Sequence, residues 1–153
     1  MSTSKQPKRR QRVALGDVFE IPLPDGRFAY GRVLEEPVVA IYQQLSTTPN
    51  NPPIGSRDYR FVVGIYTKVL TTGEWKIVGR DPVGAEEDPT PPPRYIKDPV
   101  DGSFHIYSQG KISPATHEEC IGLEPAAVWD SNHIVDRILK GNASKYLRSV
   151  REF

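Results

Sequence analysis

Apolar and polar residues alternate on both sides of Pro24-Asp25-Gly26 in GDVFEIPLPDGRFAYGRVL, residues 16–34. Period-two alternation around such a cluster predicts a β-hairpin. Setting Leu23 opposite Phe28 puts Ile21 against Tyr30 and Phe19 against the stem of Arg32, a continuous face of cross-strand pairs. Ala29 and Gly31 then fall on the other, thinner face, across from Pro22 and Glu20. The prolines choose the loop. A two-residue Asp25-Gly26 loop would ask Pro22 for an N–H it lacks. A four-residue loop, Pro24 to Arg27, spares both prolines, with Pro24 second and Gly26 fourth in a type I turn, and is the one expected.

The pattern continues with a third strand over Val38–Gln43 and a loop over 46–58, STTPNNPPIGSRD. RFVVGIYTKVL, residues 60–70, is the most continuous apolar stretch and reads as a central strand, with Gly64 marking a bulge or a close approach. Thr72-Gly73 then turns the chain into Trp75–Gly79, so 60–79 is expected to be a second hairpin. Residues 81–93 form a long acidic, proline-rich loop. Strands return at Arg94–Lys97 and Ser103–Ser108 around an Asp101-Gly102 turn. Near the end the period changes. Ile134, Val135, Ile138 and Leu139 recur at helical spacing, with Asp130 or Ser131 to start the helix and Gly141 or Asn142 to end it. A further short helix is expected over 143–150. Trp75 and Trp129 read as core. Many short antiparallel strands followed by one or two helices predict an α+β domain. Its mainly antiparallel sheet should be strongly bent, to the point of a partly closed SH3-like barrel.

Composition sharpens this picture. The 153 residues suit one domain with a real core, and 15 prolines favour long loops over long helices. Residues 1–12 hold five basic side chains and nothing apolar after Met1, so they read as a disordered basic leader ahead of a single domain over 13–153. That domain keeps 15 basic against 19 acidic residues, a net −4 and a poor surface for nucleic acid. The single Cys120 allows no internal disulfide, and no apolar run reaches membrane-spanning length. A cytoplasmic location is the expectation.

Catalytic motifs are scarce. His117-Glu118-Glu119-Cys120 lacks the spacing of a helical zinc-protease site and offers no cysteine pair. It reads as a structural cysteine beside solvated carboxylates. His105 and His133 have no nucleophile motif around them, and no glycine-rich phosphate loop of standard spacing occurs. No cofactor or metal is expected. PTPPP at 89–93 reads as a rigid surface loop, with polyproline II docking as the sharper alternative.

Three stretches taken together resemble the immunity protein 26 family of bacterial polymorphic toxin systems. They are GDVFEIPLPDGRFAYGRV, EWKIVGRDPV and ECIGLEPAAVWDSNHIVDRI, in order from about Gly16 to Leu139. The first stretch also resembles the opening hairpin of small SH3-like barrels. The family resemblance implies a cytoplasmic protein that neutralises a cognate toxin by direct, stoichiometric binding, with no catalysis of its own. It brings no binding residues that can be carried over. From charge and composition, the candidates for a toxin interface are Glu86, Glu87, Asp88, Tyr95, Glu118 and Glu119. The main alternative is a nucleic-acid or translation-associated binding module, using the SH3-like hairpin and the basic arm. An enzyme without a recognised motif is a third reading.

Overall fold

The computed structural model describes residues 10–35 and 38–144. In chain order these form β1 (Asp17–Pro22), β2 (Phe28–Val33), β3 (Val38–Tyr42), β4 (Tyr59–Ile65), α1 (Lys68–Thr71) and β5 (Ile77–Arg80). There follow β6 (Arg94–Lys97), β7 (Phe104–Ser108), β8 (Lys111–Ala115), α2 (His117–Cys120), β9 (Glu124–Pro125), β10 (Val128–Trp129) and α3 (Ser131–Lys140). A 3-10 turn over Gly141–Ala143 closes the series. A six-stranded sheet runs β10-β4-β3-β2-β1-β5, and a four-stranded sheet runs β8-β7-β6-β9. Only the short β10 and β9 pair in parallel, with β4 and β6. The class is α+β and mainly antiparallel, as the pattern predicts, and among the described residues no sheet closes into a barrel. The helix expected over 143–150 lies outside the described residues, apart from its first two positions.

The first hairpin forms, but one residue out of the expected register. Leu23 N–H donates to Arg27 O at 2.9 Å, and Gly26 N–H donates to Leu23 O at 3.1 Å. The loop is therefore three residues, Pro24 to Gly26, with Gly26 at φ +90° in the left-handed place that closes a hairpin loop of this length. Both prolines still lose nothing. Pro22 lies opposite Phe28, whose N–H turns away to Ser46 O at 2.8 Å. The slip exchanges the faces of the return strand. Phe19 now faces Gly31 and Ile21 faces Ala29, while Tyr30 and Arg32 move to the opposite face with Val18 and Glu20. The ring of Phe19 lies directly over Gly31, where any Cβ would collide with it, and it stacks on Trp75 at 5.5 Å between centroids.

The expected hairpin over 60–79 does not form. β4 stops at Ile65, and the apolar Val69 and Leu70 are buried instead on the helical turn α1. β5 pairs with β1, at the far edge of the sheet from β4 and β10. A short apolar run cannot by itself tell strand from buried helix, and this one is both in succession. The bulge falls at Arg60, where the β3–β4 register shifts, and not at Gly64. β8, for which the pattern predicts no element, is an edge strand containing Pro114, an arrangement that tolerates a missing N–H.

Two layers of side chains result. One face of the large sheet packs Phe19, Ile21, Val39, Ile41, Val63 and Ile65 against Trp75, Trp129 and the helical Ile134 and Ile138, so both tryptophans are core. Arg137 of α3 is buried in this layer. It donates to both oxygens of Glu124 at 2.9 and 2.7 Å, and its guanidinium lies 4.0 Å from the Phe61 ring centroid. The helix and the small sheet are thereby tied to the large one. The second face carries Val18, Tyr30, Arg32, Tyr42 and Tyr59, and among the described residues no helix covers it.

Candidate functional site

Loops cover that second face. Residues 43–58 fold over one part of it. Residues 81–93, which leave β5 and lead to β6, cross the rest as a strap. Loops of this length without secondary structure of their own are uncommon in a compact domain and usually functional. Here a buried ionic cluster immobilises both.

Arg32, 1% exposed, is the centre of the cluster. Its Nε donates to Asp81 O at 2.8 Å and its Nη2 to Pro82 O at 2.9 Å. The two Nη groups reach Glu87 Oε2 at 2.6 Å and Oε1 at 2.9 Å, and Nη1 also donates to Tyr59 Oη at 3.2 Å. Arg57, from the other loop, donates to both oxygens of Asp81 at 2.9 and 3.0 Å and meets Glu87 at 2.9 Å. Asp81 also accepts the Tyr42 hydroxyl at 2.6 Å and Gly55 N–H at 2.9 Å. Two guanidiniums face two carboxylates; the buried Arg32 and Asp81 balance one another, and the half-buried Glu87 and exposed Arg57 complete the cluster towards solvent. A second network, built around the Glu20 carboxylate, holds the first loop. Tyr30 Oη donates to Glu20 Oε2 at 2.9 Å and accepts from Asn51 N–H at 3.0 Å, and Asn50 N–H donates to Glu20 at 2.6 Å.

Protonation follows from these contacts. Burial pushes the Asp81 carboxyl up, but hydrogen bonds from Arg57, Tyr42 and Gly55 outweigh it and hold the group at about 2. Glu87 is held at about 2 chiefly by Arg32. Burial, and then the Asp81 carboxylate, push the Tyr42 hydroxyl well above its ordinary range. Every one of these groups spends its hydrogen bonds on the protein itself. Chemically the cluster is a clamp that fixes two loops.

The residues singled out from the sequence fall in different places. Glu86 and Asp88 are exposed on the strap, and Asp88 Oδ1 accepts Thr90 N–H at 2.9 Å in a local turn. Glu87, between them, is the carboxylate held by Arg32 and Arg57. Tyr95, 3% exposed, is buried in the small sheet. Glu118 and Glu119 are exposed on α2, where Glu119 completes a capping box with Thr116. The strap thus gathers three of the six, and the others belong to the small sheet and its helix. Cys120 is buried, and burial raises its thiol. Among the described residues no group of His, Cys, Asp and Glu has the arrangement of a metal site, and no helix is long and apolar enough to cross a membrane. Arg32, Tyr42, Arg57, Tyr59 and Asp81 were not legible as a site. The available signal was the alternation of large polar side chains, Tyr30 then Arg32, on the face opposite Phe19, and it appears only once the register is right.

The family model for immunity protein 26 matches residues 14–105. That span covers β1 to β6, the start of β7 and every residue of the clamp, while the stretch from Glu119 to Ile138 that also carried the resemblance lies beyond it. No curated protein and no solved structure matches the chain. With more than half of its length matched, the chain belongs to the immunity protein 26 family.

Proposed function

We propose that this protein neutralises a cognate toxin by binding it directly, one to one, without catalysis of its own. Membership of the family implies a toxin-neutralising immunity role and a toxin partner in general terms. The observation that carries the finer reading is the clamp. It lies wholly within the matched residues and freezes two long loops on a rigid sheet. Loops held in advance lose little entropy on binding, which favours a tight inhibitor. The outward Glu86 and Asp88 on the strap are the acidic groups offered to a basic toxin surface, where they would speed association. We place the protein in the cytoplasm of a bacterium that carries a polymorphic toxin system.

The test is capture from the native host with the tagged chain, followed by calorimetry on the purified partner. The expected result is one toxin domain, bound one to one and retained at moderate salt. Recovery of nucleic acid or ribosomal protein that washes off at moderate salt overturns the reading in favour of the nucleic-acid module.

A further inference from the structure

Two open hollows, of 420 and 340 Å³, adjoin beside the start of α3 and share Glu74 and Ser131 in their walls. Together they make one trough. Val69, Trp75 and Val135 give it an apolar floor. Tyr66 stands at its rim, 55% exposed. An aromatic side chain so far out in solvent beside a concave apolar surface is the usual composition of a binding hot spot.

The charges at the trough have no internal use. Glu74 is exposed, and among the described residues its carboxylate has no hydrogen-bond or ion-pair partner. Asp130 immediately precedes α3, yet its side chain makes no capping bond and no ion pair. The buried and half-buried carboxylates Glu20, Asp81, Glu87 and Glu124, by contrast, all bind protein donors. Lys68 also lines the larger hollow without pairing to either acid, so the wall carries two carboxylates against one ammonium. The Lys68 ammonium rides on a flexible stem at the rim and can swing clear. The two carboxylates line the same 420 Å³ space.

We propose that this trough is the anchor site for an arginine side chain of the toxin, a proposal that rests on the immunity reading above. A guanidinium offers donors in a planar fork, enough for both Glu74 and Asp130, and its flat face suits the ring of Tyr66. Its aliphatic stem would lie over Val69. The larger hollow lies where β4 and β10 end, and the smaller one runs on to Pro22 at the opposite end of β1. The departure of the strap from β5 lies at the same end of the sheet as the larger hollow, on its opposite edge. A toxin docking across this end of the sheet would therefore meet the larger hollow at one edge and the strap at the other.

The first test uses N-acetyl-arginine amide as probe, titrated into the isotope-labelled full chain and followed by amide NMR. Saturable shifts at Tyr66, Val69, Glu74 and Ser131 are expected, weaker with N-acetyl-lysine amide, and lost in the Glu74→Gln/Asp130→Asn double variant. Lys68→Ala should tighten the probe, because it removes the competing cation. Scattered or non-saturable shifts, or shifts unchanged in the double variant, overturn the proposal. The second test uses the captured toxin. The double variant should weaken binding about thirtyfold, mainly through faster dissociation, with its thermal melting unchanged. Unchanged affinity overturns the anchor and leaves the immunity reading standing. Failure of the wild-type chain to bind any toxin overturns the immunity reading, and the arginine titration then judges the trough by itself.

Discussion

Two buried arginines hold this molecule together in different ways. Arg137 sits inside the apolar layer, among regular elements. Its carboxylate partner, Glu124, is 13 positions away, and its remaining contacts are the faces of Phe61 and Trp129. Arg32 sits under loops. Its partners are 27 to 55 positions away, and most come from segments with no hydrogen-bonded strand or helix of their own. Where a helix covers the sheet, apolar burial does the work and one ion pair adds orientation. Where only loops cover it, few apolar side chains are available, and a multiply bonded, charge-balanced cluster takes over. The exposed Glu86 and Asp88 owe their fixed position to the second device.

The largest expected effect is on Arg32. Arg32→Leu leaves the buried Asp81 and the half-buried Glu87 with only the exposed Arg57, and should lower stability by about 3–5 kcal/mol in chemical denaturation. Arg137→Leu should lose less, about 1.5–3 kcal/mol, because it leaves one carboxylate without its guanidinium and an apolar side chain can still pack on Phe61 and Trp129. Equal losses would mean that the two sites do not differ in kind.

Acid should act on the clamp next. Asp81 falls from an ordinary 3.8 to about 2, and Glu87 from 4.5 to about 2. The unfolded chain therefore takes up protons first as the pH drops. The stability these groups confer is complete above about pH 5 and is lost progressively towards pH 2, with Asp81 alone accounting for about 2 kcal/mol. Glu87→Gln and Asp81→Asn should each flatten that slope in pH-dependent denaturation, and an unaltered slope would remove the clamp from acid stability.

A smaller and more local effect is expected for the strap itself. Glu87→Gln should speed amide hydrogen exchange across 81–93 about tenfold or more while the α3 amides stay protected. Uniform acceleration would show that strap and helix open as one unit. The smallest effect belongs to the outer acids. Glu86→Gln with Asp88→Asn should leave stability within about 0.5 kcal/mol of wild type while slowing association with the toxin.

Much of the large sheet was legible from local pattern. Alternation around Pro24-Asp25-Gly26 locates the first hairpin, and the spacing of Ile134 and Ile138 locates α3, because both reflect periods that one element imposes alone. The clamp was not legible. Asp81, Glu87 and Arg57 are ordinary loop residues by composition, and only their arrival around Arg32 makes them a site. Expecting Arg32 on the Phe19 face hid its role, since a one-residue change of loop length reverses every side chain on the return strand. The trough was missed for the same kind of reason. Tyr66, Glu74 and Asp130 come from three connections, and the expected hairpin over 60–79 left no place for α1 between them.

The sequence by itself determined the class of the domain, the positions of most strands, the C-terminal helix and the family. The class, the strands and the helix follow from short-range periodicity and turn chemistry, which the chain carries within a few residues of each position, and the family from the likeness of three stretches of its sequence. Tertiary structure decided the register of the first hairpin, the pairing of β5 with β1, the burial of Arg32 and the meeting of two long loops over it. Those outcomes depend on which distant groups become neighbours. The balance between desolvating a charge and pairing it cannot be known until the partners are in place.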